Sequence, residues 1–212
     1  MKTFKTLIII FTLAFLANNI YAQGFGVRAG INFQNVNGKD FEGDNLENKL
    51  TTGFHAGINY EVPVGTDIYF QPGLLFSTKG SKLEMSDIMS SKLSLSYIEL
   101  PLNLVFKPLL GTGHMLLGLG PYLGYGIGGK ATERDFDVEF QNEVVESDPD
   151  DVIYLKAFDA GANFIIGYEF ANMVSFQLNA QLGLLDIFPD YWVDDDTVWK
   201  NTGFGLSVGY RF

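Results

Sequence analysis

Cysteine is absent from the 212 residues, which excludes disulfides, zinc–thiolate sites and a thiol nucleophile. Basic residues are scarce, 14 Lys and Arg against 25 Asp and Glu, for a net charge of -11. With a pI near 4.5, the chain lacks the basic footprint of a nucleic-acid binder. Charge of either sign is low at 18%, while 47% of residues are hydrophobic and 15% aromatic, a composition that cannot stay disordered. The glycines form no phosphate loop, because no Gly-Lys-Ser/Thr element follows them. Glycine is nonetheless abundant, at 24 residues. The length fits one domain.

The first 22 residues read as a signal peptide. Lys2 and Lys5 precede an apolar run from Leu7 to Ala17, and Ala22 offers a small residue before a cut at Gln23; that is the n-region, h-region and cleavage-site order of a secreted chain. The run is short for a membrane-spanning helix. Its removal takes two lysines and no acid, leaving a net charge of -13 over 23–212.

Beyond it, polarity alternates residue by residue in eight stretches, at about 25–34, 54–62, 68–77, 98–107, 117–128, 158–170, 174–184 and 204–212. Period two is the signature of a strand. In the first stretch Phe25, Val27, Ala29, Ile31 and Phe33 oppose Gly26, Arg28, Gly30, Asn32 and Gln34. The apolar face of every stretch is free of charge and of Asn or Gln. The opposite face is mostly Gly, Asn, Gln and Ser with a few charges, which suits a crowded polar interior rather than the apolar interior of a soluble ligand-binding barrel. Aromatics cluster toward both ends of the apolar face. Phe25, Tyr60, Phe70, Phe106, Tyr168 and Tyr210 mark one rim, and Phe33, Phe54, Phe76, Tyr125, Phe158 and Phe204 the other, as interfacial girdles do. Residues 108–129 lack charge, yet five glycines from 118 to 128 and Pro121 disfavour a helix and keep period two.

The connections alternate in length. Pro63–Thr66, Pro108–Gly113 and Ala171–Met173 are short and carry turn residues, whereas 35–51, 78–92, 129–156 and 185–201 are long. These observations imply an all-β fold, an eight-stranded antiparallel up-and-down transmembrane β-barrel over 23–212. Short periplasmic turns, long external loops and periplasmic termini make it an outer-membrane protein in contact with outer-membrane lipid. The chain ends on Phe212, with Tyr210 two before it; this ending resembles the terminal-strand signal read by the barrel insertion machinery.

Three segments carry a resemblance: Gln23 to Phe33, Tyr97-Ile98-Glu99-Leu100-Pro101-Leu102, and Gly118 to Tyr122. They look like the Bacteroidetes outer-membrane beta-barrel family that includes PorT-like proteins. The likeness spans nearly all of the chain beyond the signal, and the Tyr-x-Glu-x-Pro-Leu element is its most distinctive part. It implies an outer-membrane barrel. PorT itself is tied to type IX secretion, and nothing in these residues singles out that member.

Inside the barrel the alternation places Arg28, Glu61, Lys107, Glu169 and Arg211 toward the periplasmic end and Glu99 higher up. Charges buried in a narrow interior must be paired, so a structural plug of salt bridges is the expectation. Arg28 and Arg211 sit on adjacent strands if the first strand pairs with the last. Twenty of the 25 acids fall in the four long loops, where charge runs form solvated surface. Asp148 to Asp151 and Asp194 to Asp196 are carboxylate clusters without the spacing of an EF-hand, so no metal is assigned. Tyr191, Trp192 and Trp199 in the last loop are candidate contacts for a partner or a saccharide, with packing of the loop onto the rim as the alternative reading. No catalytic constellation is built around His55 or His114, and neither catalytic residues nor a cofactor are expected. The function expected is a structural or interaction barrel, engaging a protein at its loops or turns. A small channel, a PorT-like secretion accessory and an outer-membrane hydrolase stand as alternatives.

Overall fold

The computed structural model describes residues 24–46, 48–86, 89–131, 136–145, 147–149, 152–191 and 197–212. The expected signal peptide, 1–22, lies outside the described residues. Eight long strands carry the architecture: β1 (Phe25–Lys39), β2 (Thr51–Tyr60), β3 (Ile68–Ser86), β4 (Met89–Phe106), β5 (Gly113–Ala131), β6 (Phe158–Glu169), β7 (Val174–Gly183) and β8 (Val198–Arg211). Each pairs antiparallel with its neighbours in sequence. β8 also pairs antiparallel with β1, setting Arg28 opposite Gly209 and Gly26 opposite Arg211. The strands therefore form a closed ring of eight.

Period-two side chains on a closed ring must point either in or out. Through the body of the ring the apolar set points out: Leu119 is 62% exposed, whereas inward-facing Glu99 on the adjacent strand is 1% exposed. The outward aromatics pair across strands at both ends. Phe33 stacks on Phe204 at 5.2 Å and Phe54 lies 5.6 Å from Phe76 at the loop end. Phe25 lies 5.9 Å from Phe212 at the turn end. The backbone N–H of Phe212 donates to Phe25 O at 2.9 Å, so the last residue is stitched to the first strand.

The segment 78–92, expected as a long loop, is instead the tip of a hairpin in which β3 and β4 continue their pairing from Thr78 opposite Ser96 out to Ser86 opposite Met89. The alternation does continue there, but with the opposite chemistry. Leu93, Leu95 and Tyr97 point inward and are fully buried, while Ser94 and Ser96 take the outer positions. The same inversion occurs on β1, where Val36 is buried between Asn35 and Asn37. The ring is apolar outside and mostly polar inside through its body, where Leu75, Val105, Leu116 and Ile165 are the buried apolar exceptions. Above it, on β1 and β4, the outer positions turn polar while apolar residues gather inside.

What fills that upper interior is a small apolar cap. The strand Phe136–Phe140 pairs antiparallel with the tip of β5, and Val152–Leu155 pairs parallel to it. Val138, Leu155 and Ile187 pack on Leu93, Leu95 and Tyr97, with Phe140, Ile153 and Trp199 at the edge. Ile187 is anchored through its backbone, accepting from Lys156 N and donating to Trp199 O, both at 2.8 Å. A close approach at Gly126 makes room for this packing: a Cβ there would lie 2.3 Å from the Phe140 ring. The segments 129–156 and 185–201 are thus partly ordered strand and core, where only solvated loop is expected from their charge.

Candidate functional site

The interior of the ring is where the sequence places its buried charge. The described residues assemble it in three layers.

At the turn end, four charged groups alternate in sign. Glu61 follows β2, Lys107 follows β4, and Glu169 and Arg211 close β6 and β8. Lys107 Nζ lies 2.9 Å from both Glu61 Oε2 and Glu169 Oε1. Arg211 Nη2 lies 2.6 Å from Glu61 Oε1, and its Nε 3.3 Å from Glu169 Oε2. Each cation thus touches both carboxylates. Arg211 Nη1 also donates to Gly24 O at 3.1 Å, and Gln71 Nε2 donates to Glu61 at 3.0 Å. This is the hydrogen-bonded pairing that a buried ion needs to offset its lost hydration.

At the loop end, a single cation holds two carboxylates. Lys79 Nζ lies 2.7 Å from Glu99 Oε1 and 2.9 Å from Asp159 Oδ2, with all three side chains essentially inaccessible. The ammonium sits 4.3 Å from the centre of the Tyr122 ring, a cation–π contact. Tyr122 Oη donates to Asp159 Oδ2 at 3.2 Å, Asn201 Nδ2 donates to the same oxygen at 3.0 Å, and Gln181 Nε2 donates to Glu99 Oε2 at 3.0 Å. Gly80, at φ 136°, follows the lysine. A Cβ there would meet Leu93 O at 2.0 Å, so only glycine lets β3 close on β4 at this layer. The apolar cap lies directly above.

Between the two lies a chamber of about 30 Å³, bordered by Arg28, His55, Glu99, Asn103 and Asn163. Such a space holds one or two waters. Arg28 is buried, and its Nε and Nη1 have no protein partner; it stands apart from the turn-end quartet and faces both this chamber and a second one of about 10 Å³ beside Arg211. His55 Nδ1 lies 2.6 Å from Asn32 Oδ1 and its Nε2 2.7 Å from Ser207 Oγ. Asn32 Oδ1 can only accept, so the neutral ring carries its proton on Nδ1 and its Nε2 accepts the Ser207 hydroxyl. A serine, a histidine and an orienting amide in a row have the order of an activated nucleophile. Here they are buried beside a chamber with no room for a substrate.

The six residues expected to form the interior charge cluster are all inward and buried. They divide into the quartet, Glu99 in the upper layer and Arg28 between. Sequence reasoning missed Lys79 and Asp159. Asp159 stands at an inward position of its strand, and Lys79 keeps the inward parity of Ser77; reading 78–92 as loop hid it. With them the interior balances, since Arg28, Lys79, Lys107 and Arg211 oppose Glu61, Glu99, Asp159 and Glu169. The excess negative charge of the chain therefore lies outside the ring's interior.

Trp199, a candidate loop contact that could equally pack its loop onto the rim, turns toward the cap, its ring 5.3 Å from Phe188 and its Nε1 buried. The apolar interior above the ring gives the indole a better place than water. The backbone of Tyr191 pairs with Val144, and Trp192 lies outside the described residues. Asp148 accepts from Gln141 Nε2 at 2.8 Å and from Val145 N at 2.9 Å, tying its own turn. Asp150, Asp151 and Asp194 to Asp196 lie outside the described residues.

A family model described as outer membrane protein beta-barrel domain matches residues 21–189. No curated protein matches the chain. Among solved structures, it is similar to the crystal structure of Ail, the attachment invasion locus protein of Yersinia pestis, at 16% identity and a TM-score of 0.36, covering 90% of this chain and 99% of that one. It is similar also to the solid-state NMR structure of the outer membrane protein AlkL in DMPC bilayers, at 15% identity and a TM-score of 0.34, covering 92% and 93% of the two chains.

Proposed function

The chain belongs to the outer membrane protein beta-barrel domain family and resides in the outer membrane, and from that premise we propose that it is a sealed, eight-stranded, antiparallel up-and-down barrel working through its surface, as a structural and interaction protein. The observation that carries this reading is the pair of ion clusters crossing the interior at both ends. An eight-stranded ring is already narrow enough for side chains to fill. Opening it would separate buried charges at two levels, and a pore does not require that. The Ser207–His55–Asn32 row supports the same reading, because a hydrolase must admit its substrate.

The outward belt from Phe25 to Phe33 on β1, and from Phe204 on β8 to Phe212 just past its end, is nine residues long, the length a tilted strand needs to cross the hydrocarbon. The inversion of polarity above Phe33 and Ile98 marks where the surroundings change from lipid to water. The cap then stands outside the cell, and the short turns and both termini on the periplasmic side, with Phe212 available to the insertion machinery. Exposed acids on the cap and adjoining loops, among them Glu42, Asp44, Asp137, Glu139, Glu143 and Asp190, suit a protein partner with a basic face. The narrower kinship with PorT-like barrels of Bacteroidetes belongs to this proposal. Two of the segments that carry it supply Tyr97, Glu99 and Tyr122, which build the upper layer around Lys79.

A photo-crosslinking residue placed at Glu139 in intact cells should capture a discrete protein partner, and one placed at Asp67 in a short turn should not. Capture at neither position would contradict the interaction role. Capture at Asp67 alone would move it to the periplasmic face.

A further inference from the structure

The apolar belt is not equally tall all the way round the ring. Register partners put the strands on one scale of height. Ala29, Ala56, Phe76, Ile98, Tyr125 and Phe158 lie opposite one another in turn from β1 to β6. In the other direction from β1, Phe33 leads through Phe204 and Ala180 to Phe164 on β6. Phe33 stands four residues above Ala29, and Phe164 six below Phe158. One circuit therefore climbs ten residues, the stagger of a tilted, closed ring. Equal height drifts by about one and a quarter residues per strand.

With that slant removed, the lower edge of the belt on the strands is level to within about two residues, from Phe25 and Val62 round to Phe170 and Phe212. The upper edge is stepped. On β1 to β4 and on β8 it stops at Phe33, Phe54, Phe76, Ile98 and Phe204. On β5, β6 and β7 it runs to Ile127, Phe158 and Leu184, about three residues higher, or about 7 Å of height. Elsewhere the outward positions at that level are Asn35, Thr52, Ser96 and Thr202.

The excess is bare. Tyr125, Ile127, Phe158 and Leu184 are between 49% and 59% exposed. A bilayer fitted to the other five strands ends below them. Tilting the barrel would sink Ile127 and Phe158 only by driving Met115 and Phe170, at the feet of the same strands, out through the opposite face. A mismatch of this kind drives association within the membrane.

The height of the patch selects what covers it. A second copy related by a twofold axis along the membrane normal presents its own excess at the same level, so each patch covers the other. The wall below admits such a neighbour. Outward Ala160 and Ala162 leave β6 low between Phe158 and Phe164. Ala180 lies in an open depression of about 450 Å³ bordered by Leu119, Phe164 and Leu178.

We propose that β5, β6 and β7 form the contact face of a homodimer in the outer membrane, with Ile127, Phe158 and Leu184 meeting their counterparts across a twofold axis close to β6. The pairing rests on the barrel placement proposed above. Heat-modifiable gel mobility of the inserted protein scores that placement separately and verifies that each variant is folded.

The chain has no cysteine, so single thiols report position directly. In vesicles holding only this protein in a large excess of lipid, a short bismaleimide should join Phe158→Cys copies into a dimer. It should leave Phe54→Cys copies, on the far wall, as monomers. The I127S/F158S/L184S variant brings the upper edge down to its level on the other strands. Energy transfer between labelled copies should show it associating about ten-fold or more weakly than the parent. Leu100→Ala, in the belt of β4, should change association by about two-fold or less. In bilayers of longer acyl chains, where lipid itself reaches the patch, the parent should associate several-fold less tightly. Equal crosslinking at Phe158→Cys and Phe54→Cys, or none at Phe158→Cys, would overturn the face. Undiminished association of the I127S/F158S/L184S variant would overturn the patch, and indifference to chain length would overturn the height match.

Discussion

The two ends of the ring bury charge by different means. At the turn end Lys107 and Arg211 each touch both Glu61 and Glu169, so every carboxylate has two cations and any one cation has a deputy. At the loop end Lys79 is, among the described residues, the one cation within ion-pair distance of Glu99 and Asp159. The rest of the compensation there comes from Tyr122, Asn201 and Gln181, beneath an apolar cap instead of solvated turns. The turn end is redundant and built from strand ends. The loop end is singly held and depends on segments far away in sequence. Losing one residue should therefore cost more at the loop end.

The largest effect is expected from Lys79→Met. It leaves two buried carboxylates facing one another, and breaking a buried ion cluster costs about 3–5 kcal/mol. Lys107→Met should cost less in the same denaturant titration of vesicle-inserted protein, because Arg211 still touches Glu61 and Glu169. The reverse order would break the comparison. Next, Gly126→Ala drives a methyl group into the Phe140 ring. Overpacking of this kind costs about 1–3 kcal/mol. It should be confined to the cap, read as faster proteolysis within 141–151 while the turn end stays protected. Trp199→Phe removes a buried N–H that has no partner and keeps most of the ring's packing, so unfolding should shift by less than about 1 kcal/mol. The smallest effect is expected at the Lys156–Asp190 pair, 2.8 Å long, with the Asp190 side chain 77% exposed. Lys156→Gln should change stability by at most about 1 kcal/mol, and added salt should erase the difference.

The turn end was legible in the sequence because the outward positions of its strands stay apolar to their ends, even where Val105, Leu116 and Ile165 put apolar residues inward as well. Glu61, Lys107, Glu169 and Arg211 can be placed inward by parity alone, and their shared height in one interior brings the two cations onto the two carboxylates. The loop end was not legible, because the rule used to find strands was an apolar outer face. Above the rim that rule inverts: Leu93, Leu95 and Tyr97 lie at the same parity as Glu99, yet apolar residues at inward positions read as a break in the pattern. Lys79 was hidden, and Trp199 left with two readings, for the same reason. Trp199 packs against the cluster that includes Val138, Leu155 and Ile187, and Lys79 meets Tyr97, Tyr122 and Asp159, long-range partners that no local periodicity reveals. The chamber and its serine–histidine–asparagine row were invisible for a related reason, since Asn32, His55 and Ser207 come from three strands whose register only the closed ring sets.

Sealing of the interior at both ends is the central claim, and single-channel recording in planar bilayers tests it most directly. The wild-type protein, inserted and verified as folded, should give no steady current steps at either polarity. Uniform, voltage-stable steps from the wild-type protein would contradict the account, because ions would then be passing two layers of buried charge held here as structural.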